Sequence, residues 1–402
     1  MFDDSSERAK SGMRNVVALG IVSFFTDFST EMILGILPLF VISNLGASRF
    51  ILGAMEGSAE LVSYAFRMVS GSLSDKIQKR KLFILIGYGL STVSKPFLAF
   101  STGWADAFIL RTVDRIGKGV RTAPRDALIS DSVSESISGK AFGIHRTIDQ
   151  MGAIGGPIAA FFLLQFMDIR GIFIVSLVPG AIAIIILIFF VKEIIPKTHS
   201  MTSKLFSNIC VVVKKNKPFC LLLIISGIFS LGSFNFSFIL LRSSDLGISE
   251  STIPIVYAII NVTHTAIGIP SGMLADKFGK EKVLITGYFV FALSAVFMIV
   301  LSGNSYYAFL LAAIFGLYIG ISETVQRAIV PKYVPSELRG TAFGVYNLVL
   351  GVSFFISNIT FGFLWDKYDL NTAVIYSLVF AASGIIGMSL FIMKYSKTKT
   401  LI

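Results

Sequence analysis

The chain contains little cysteine and little histidine. Its 402 residues include two cysteines, Cys210 and Cys220, and three histidines, His145, His199 and His264. The histidines are scattered and show no spacing typical of metal ligands. No nucleophile elbow, phosphate-binding loop or zinc signature is present either. We therefore expect a protein that is not an enzyme and that holds no metal or other cofactor.

Charged residues are also scarce. They make up 15% of the chain against 54% hydrophobic residues, and the mean hydropathy is +0.78. Long apolar runs of this kind are typical of membrane helices. We predict an all-α, polytopic membrane protein with twelve spans, near residues 15–42, 47–73, 81–101, 105–122, 141–166, 170–191, 218–240, 248–273, 283–301, 305–326, 341–365 and 371–393.

The net charge of +11 is distributed unevenly along the chain. Most Lys and Arg residues fall at the two termini and in the loops after the even-numbered spans. Because basic residues in short loops resist translocation, this asymmetry predicts that both termini lie in the cytoplasm and that the protein spans the inner membrane. The basic charge follows from the topology, so no nucleic-acid partner is expected.

One loop occurs twice in the chain. Gly71–Lys81 and Gly272–Lys282 carry equivalent aspartates, with an offset of 276 − 75 = 201 residues, which is half the chain length. The same offset relates Gly139–Gly143 to Gly340–Gly344. The chain is therefore predicted to be a duplication, as in many secondary transporters. The predicted parts are a six-helix bundle over 1–192, a cytoplasmic linker over 193–217 and a second six-helix bundle over 218–402.

These features resemble the major facilitator superfamily, whose loop after span 2 reads roughly Gly-x-Leu-Ala-Asp-Arg-x-Gly-Arg-Lys. The second copy matches this pattern closely, whereas the first copy has Gln78 at the glycine position. The resemblance implies a gating role for the aspartate and base of each copy, which are Asp75, Lys79, Asp276 and Lys280. The run 121–126 follows span 4, and we expect its Arg121 and Arg125 to form a gate or charge relay with the first loop.

Two further family patterns are present in altered form. Gly143, Gly152, Gly156 and Pro157 resemble the first part of the glycine motif in span 5 of antiporters. Arg111 aligns with the arginine of an Arg-x-x-Gln-Gly pattern in span 4 that is tied to proton coupling, although Asp114 and Arg115 replace the last two residues. The resemblance implies proton-driven antiport, and hence export.

Ionisable residues inside the predicted spans are concentrated in the first half. A charge at the bilayer centre costs at least ~2.5 kcal/mol, so each one needs a partner or a wet cavity. The candidate proton-coupling and binding residues are Asp27, Glu31, Glu60, Arg111, Asp114, Arg115, Arg146 and Asp149. The positions 201 residues beyond Asp27, Glu31, Arg111 and Arg115 hold Ile228, Gly232, Ala312 and Gly316. Ion coupling is therefore predicted to reside in the first half.

Three roles are compatible with the acids of span 1. Asp27 and Glu31 are four residues apart and share one helical face. They can carry protons, bind a cationic substrate, or act as fixed partners that neutralise Arg111 and Arg115. The sequence does not decide between these roles.

The predicted function is proton-coupled transport of a small organic solute by alternating access, in the direction of efflux. The expected partners are the solute, protons and membrane lipids, and a monomer is expected. Two alternatives remain open at this stage. One is uptake of an anionic solute such as a siderophore-like polycarboxylate chelator, and the other is lipid translocation on the same scaffold.

Overall fold

The fold is taken from a computed structural model, which describes residues 2–194, 216–335 and 338–395. Regular secondary structure in these ranges is helical, which confirms the predicted all-α fold. Most of the predicted linker, with Cys210 and His199, lies outside the described residues.

In the first half, the predicted spans correspond to single helices or to consecutive short ones. A short π-helical segment, Phe40–Asn44, follows α2, and a 3₁₀ turn, Leu98–Phe100, follows α4. The helices are α1 (Phe2–Leu34), α2 (Leu37–Leu39), α3 (Arg49–Ile77), α4 (Arg80–Phe97), α5 (Trp104–Ser132), α6 (Glu135–Leu163), α7 (Ile169–Val175) and α8 (Leu177–Phe190).

The second half repeats this order. The first span of this half, which is the seventh of the chain, is divided between two helices because the chain leaves the helical conformation before Asn235. Asn235 caps the second of these helices, since its side-chain oxygen accepts a hydrogen bond from the Ser237 amide (2.9 Å). The helices are α9 (Lys217–Ser230), α10 (Phe236–Asp245), α11 (Ile253–Phe278), α12 (Lys280–Val300), α13 (Tyr307–Tyr333), α14 (Arg339–Lys367) and α15 (Leu370–Tyr395).

The described residues contain eight helical segments that are long and apolar enough to cross a membrane. Helices α3, α5 and α6 are not among them. These three helices carry most of the charges that the sequence places inside spans. The helix of the fourth predicted span, α5, continues through Pro124 to Ser132, beyond the predicted end of the span at residue 122. Arg121 and Arg125 therefore lie within α5.

The chain divides into two compact units. Unit 1 comprises Met1–Gly46 and Val62–Met201, and unit 2 comprises Ala47–Leu61 and Thr202–Ile402. The first part of α3 thus groups with unit 2, although the sequence suggested a single division near the linker. Gly53 and Gly57 account for this grouping, because they bring α3 close to the α14 backbone at Asn358 and Phe355.

The repeated loop contains a residue with positive φ in both units. Gln78 has φ +57° and Gly279 has φ +100°, and these positions are 279 − 78 = 201 residues apart. A side chain makes positive φ unfavourable, whereas glycine enters it freely. Gln78 therefore adopts, at the expense of local strain, a positive φ where the second copy has glycine.

An ion pair with reversed charges ties the helix ends beside each loop. In unit 1, Arg80 at the start of α4 pairs with Asp131 near the end of α5. In unit 2, Glu281 at the start of α12 pairs with Lys332 near the end of α13 (2.6 Å). Both positions are related by the repeat offset, since 281 − 80 = 201 and 332 − 131 = 201. The duplication has kept the contact and exchanged its charges.

This exchange predicts the outcome of a charge swap in unit 2. Lys332→Ala removes the cation from the buried Glu281 carboxylate and should lower the free energy of unfolding by about 1–2 kcal/mol, because Lys332 is partly exposed. The double variant Glu281→Arg with Lys332→Asp recreates the Arg80–Asp131 arrangement of unit 1. It should therefore recover most of the stability that is lost when only one partner of the pair is replaced. Thermal melting in detergent measures both effects. A double variant that melts no higher than Glu281→Arg alone would contradict the equivalence.

Candidate functional site

Helices α1 and α6 pack closely along a seam of small residues. A Cβ added to Gly20 would lie 3.0 Å from the Ile148 side chain, and one added to Gly156 would lie 2.5 Å from the Phe28 carbonyl oxygen. Gly152 lies against the Phe24 backbone in the same way. Because the contacts on both helices advance four residues at a time, α1 and α6 run parallel with matched turns.

A row of facing polar residues on α1 and α6, called the polar seam below, runs beside these glycine contacts. Each facing pair in it is called a rung. Ser23 Oγ and His145 Nε2 are 3.1 Å apart and form its first rung. One turn further along both helices, Asp27 and Asp149 occupy the next facing positions, their carboxyl groups act on each other, and they form the second rung. Two carboxyl groups can hydrogen-bond only if one of them carries a proton. The seam thus brings together two acids that the sequence places on different spans.

Further charged groups surround the carboxyl pair. The charges of Glu31 on α1 and of Lys118 and Arg121 on α5 act on Asp27. Asp149 is 4% exposed, and its carboxylate accepts from Arg146 Nη1 at 3.3 Å. Two negative charges this close repel strongly, which favours the singly protonated pair.

A second cluster lies around Asp114 in the middle of α5. Arg111 Nη1 donates to Asp114 Oδ2 at 3.2 Å, and Arg115 Nε lies 3.9 Å from the same oxygen. Ser91 of α4 donates to the other carboxylate oxygen at 2.5 Å. Each of the three α5 side chains in this cluster is buried. Asp114 therefore supplies a neutralising partner for both arginines from within their own helix.

Lys95 also belongs to the Asp114 cluster, and it was not among the predicted residues. This lysine of α4 is 3% exposed, and its ammonium donates to Ser29 Oγ (2.8 Å) and Thr30 Oγ1 (3.1 Å) of α1. Asp114 is the carboxylate that acts on it most strongly. The sequence held a signal for it, since Lys95 lies inside the predicted span 81–101.

The predicted gate residues Arg121 and Arg125 lie beside the polar seam. The Arg121 guanidinium stacks 4.6 Å above the Tyr88 ring. Arg125 Nη1 donates to Ser23 Oγ (3.2 Å), and its other nitrogens pair with Asp126. Both arginines thus connect α5 to the buried polar groups of unit 1.

The remaining predicted residues are more dispersed. Asp75 pairs with Arg80 (3.3 Å) within unit 1, while Lys79 and Asp276 are exposed and Lys280 begins α12. Glu60 lies on the part of α3 that groups with unit 2. Of the glycine motif, Gly152 and Gly156 sit in the α1–α6 contact and Pro157 continues the same helix, whereas Gly143 has no neighbouring atom within 4 Å of its Cβ position.

Unit 2 repeats the polar seam without charges. Ser226 on α9 meets Tyr346 on α14 (3.1 Å), and one turn further Ser230 donates to the Leu350 carbonyl (3.3 Å). By these contacts Ser230 is the counterpart of Asp27, with an offset of 230 − 27 = 203. The constant offset of 201, which pointed to Ile228, is therefore wrong for this helix.

An aromatic cluster occupies the place of the Asp114 cluster in unit 2. By the repeat offset, Phe315 corresponds to Asp114. The rings of Phe234 and Phe315 are stacked with centroids 5.7 Å apart. Unit 2 thus fills with apolar side chains the positions at which unit 1 holds charge.

Comparisons with known proteins agree with this architecture. A family model described as Major Facilitator Superfamily matches residues 19–357 and 220–400. An uncharacterised MFS-type transporter of Methanocaldococcus jannaschii is 32% identical over 393 residues, which cover 95% of this chain and 96% of that protein. The chain therefore belongs to the Major Facilitator Superfamily, and the predicted resemblance is confirmed.

More distant matches include proteins with functional names. The multidrug resistance protein MdtH of Cronobacter sakazakii is 23% identical over 381 residues, covering 93% of this chain and 90% of that protein. The crystal structure of the nucleoside transporter NupG matches with a TM-score of 0.75 and 16% identity, covering 96% of this chain and all of that one. At this identity the NupG match concerns the fold alone.

The glycine contacts predict a difference between two motif positions. Gly156→Ala places a methyl group against the α1 backbone and should destabilise the protein by about 1–3 kcal/mol, because α1 must move away. Gly143→Ala has open space and should leave the melting temperature nearly unchanged. Thermal melting of the two purified variants measures this difference. Equal losses in both variants would contradict the close packing of α1 on α6.

The Asp114 cluster predicts a compensating pair of substitutions. Asp114→Asn removes a buried carboxylate that pairs with buried cations and should cost about 3–5 kcal/mol. Adding Lys95→Met removes one of these cations and should recover part of the loss. A double-mutant cycle on melting temperature and yield measures the coupling. Losses that simply add would show that Lys95 does not interact with Asp114.

Proposed function

We propose that the protein is a proton-coupled secondary transporter that exports small organic solutes across the inner membrane in exchange for protons, with both termini in the cytoplasm. The observation that carries the proposal is the approach of Asp27 to Asp149 between α1 and α6. Membership in a transporter superfamily and similarity to a multidrug resistance protein support it. Ionisable groups buried at membrane depth commonly mark ion pathways.

The carboxyl pair suits proton coupling because its two protonation states favour different contacts. When one proton is shared, Asp27 and Asp149 attract each other and hold the polar seam together. When the proton leaves, the two negative charges repel. Asp149 can then turn to Arg146, and Asp27 can turn to Lys118 or Arg121, whose charges already act on them. Protonation thereby changes the packing of α1 on α6.

Proton exchange can drive export if the solute and the proton compete for the same groups. A solute with a hydrogen-bond donor or a positive charge would replace the proton between the two carboxyl groups. Its release on the outer side would leave the pair free to take up a proton there. The pair then returns a proton to the cytoplasm in each cycle.

A second candidate function is uptake of an anionic organic solute. The Asp114 cluster favours it, since Arg111, Arg115 and Lys95 bring three cations close together. A carboxylate-bearing solute would form charge-assisted hydrogen bonds with such cations. In this case the solute and the proton would move in the same direction.

The direction of coupling can be tested in proteoliposomes with three labelled probes: ethidium as a cation, chloramphenicol as a neutral solute and citrate as a tricarboxylate. For the exporter, an acidic interior should drive accumulation of ethidium or chloramphenicol. Asp27→Asn and Asp149→Asn should each abolish this accumulation by removing the shared proton, while equilibrium exchange of the probe persists.

Asp369→Asn is the matched control, because Asp369 is an exposed helix-capping aspartate outside the spans and should not affect coupling. Accumulation of citrate driven by an acidic exterior would favour the second candidate. Full pH-driven accumulation in both Asp27→Asn and Asp149→Asn would contradict coupling at the carboxyl pair.

A further inference from the structure

A hydroxyl-centred cluster lies one helical turn from the carboxyl pair. Ser23 Oγ on α1 is 3.0 Å from Tyr88 Oη on α4 and 3.1 Å from His145 Nε2 on α6. Arg125 Nη1 on α5 approaches the same oxygen to 3.2 Å. Four helices of unit 1 thus meet at the Ser23 hydroxyl group.

Unit 2 contains the same cluster on the equivalent helices α9, α12 and α14. Tyr346 Oη donates to Ser226 Oγ at 3.1 Å, and Tyr288 Oη lies 3.5 Å from the same oxygen. Tyr346 is the counterpart of His145 by the repeat offset, since 346 − 145 = 201. The position that holds the His145 imidazole in unit 1 therefore holds a tyrosine phenol in unit 2.

The imidazole of His145 occurs in the same unit as the carboxyl pair. In unit 1, the rung next to His145 is Asp27 with Asp149. In unit 2, the rung next to Tyr346 consists of the Ser230 hydroxyl group and the Leu350 backbone carbonyl, and neither group exchanges protons near neutral pH. The imidazole, which is a common proton-transfer group in proteins, thus lies in the unit whose next rung contains the two carboxyl groups.

The Ser23 cluster can hold His145 with or without a proton on Nε2. Arg125 has only donors, so it donates to Ser23 Oγ and leaves that hydroxyl one further lone pair and one hydrogen. If Nε2 is bare, Ser23 donates to it and Tyr88 donates to Ser23. If Nε2 carries hydrogen, it donates to Ser23, which then donates to Tyr88. Every contact is satisfied in both arrangements.

Charged groups face His145 from two of the helices around it. They are Arg125 and Asp126 on α5 and Arg146 and Asp149 on its own helix, while α1 and α4 contribute the neutral Ser23 and Tyr88. His145 itself is 4% exposed. The Asp126 side chain, which pairs with Arg125, is 46% exposed, so the cluster reaches the protein surface on this side.

We propose that His145 transfers the coupling proton between the Asp27–Asp149 pair and water on the side at which α1 begins. A proton leaves the carboxyl O–H and binds a ring nitrogen, and the ring then gives a proton to water near Asp126. This inference rests on the proposed proton coupling. Asp149 and His145 are one turn apart on α6, a spacing at which neighbouring side chains can be bridged by one water molecule.

The test is the rate of proton release by the purified protein after a jump from acidic to neutral pH, recorded with pyranine in solution. The component of interest is the part of the proton release that is absent in Asp27→Asn. In His145→Tyr, this component should be released about a hundredfold more slowly, because a positioned proton-transfer group is lost. The tyrosine should keep the Ser23 hydrogen bond, as Tyr346 does with Ser226 in unit 2.

His145→Gln provides a second variant that cannot exchange protons, and Tyr346→Phe is the matched control in unit 2. Slow release in both His145 variants, with the control as fast as the unmodified protein, supports the transfer role. Unchanged release rates in the two His145 variants would overturn it. If Asp27→Asn removes no component at all, the carboxyl pair and the proposed function fail together.

Discussion

The close approach of α1 to α6 is the contact on which the candidate site depends. Gly152 and Gly156 leave room for the α1 backbone, and this proximity places Asp27 beside Asp149. An acid alone in an apolar helix is costly, but a pair that shares one proton carries a single charge, which nearby bases can balance. The packing of small residues thus determines where a proton can be held.

Comparison of the two units distinguishes the contacts that the fold requires, which both units share, from the charged residues of the candidate site, which only unit 1 contains. Both units have a serine–tyrosine cluster at the same place, and both pair the start of one helix with the end of the next by an ion pair. Unit 2 replaces the charged positions by neutral and aromatic side chains and still forms equivalent helices. The charges of unit 1 are therefore not required by the architecture, which favours a functional role for them.

Hydropathy and repeats were sufficient to predict the all-α fold, the order of the spans and the half that contains the charges. They were not sufficient to predict which charges meet. The pairing of Asp27 with Asp149 and the place of Lys95 depend on helix rotation and depth, which are determined by packing at glycines. The shift of Ser230 relative to the constant offset arises because the segment from this helix to the repeated loop is shorter in the second half, 276 − 230 = 46 residues against 75 − 27 = 48.

The central claim is that the Asp27–Asp149 pair holds one proton at neutral pH. Infrared spectroscopy of the protein with isotope-labelled aspartate tests this claim directly, because a protonated carboxyl group has its own carbonyl band. The account predicts one such labelled band at neutral pH, which disappears in both Asp27→Asn and Asp149→Asn. A spectrum without this band, or a band that persists in both variants, would contradict the account.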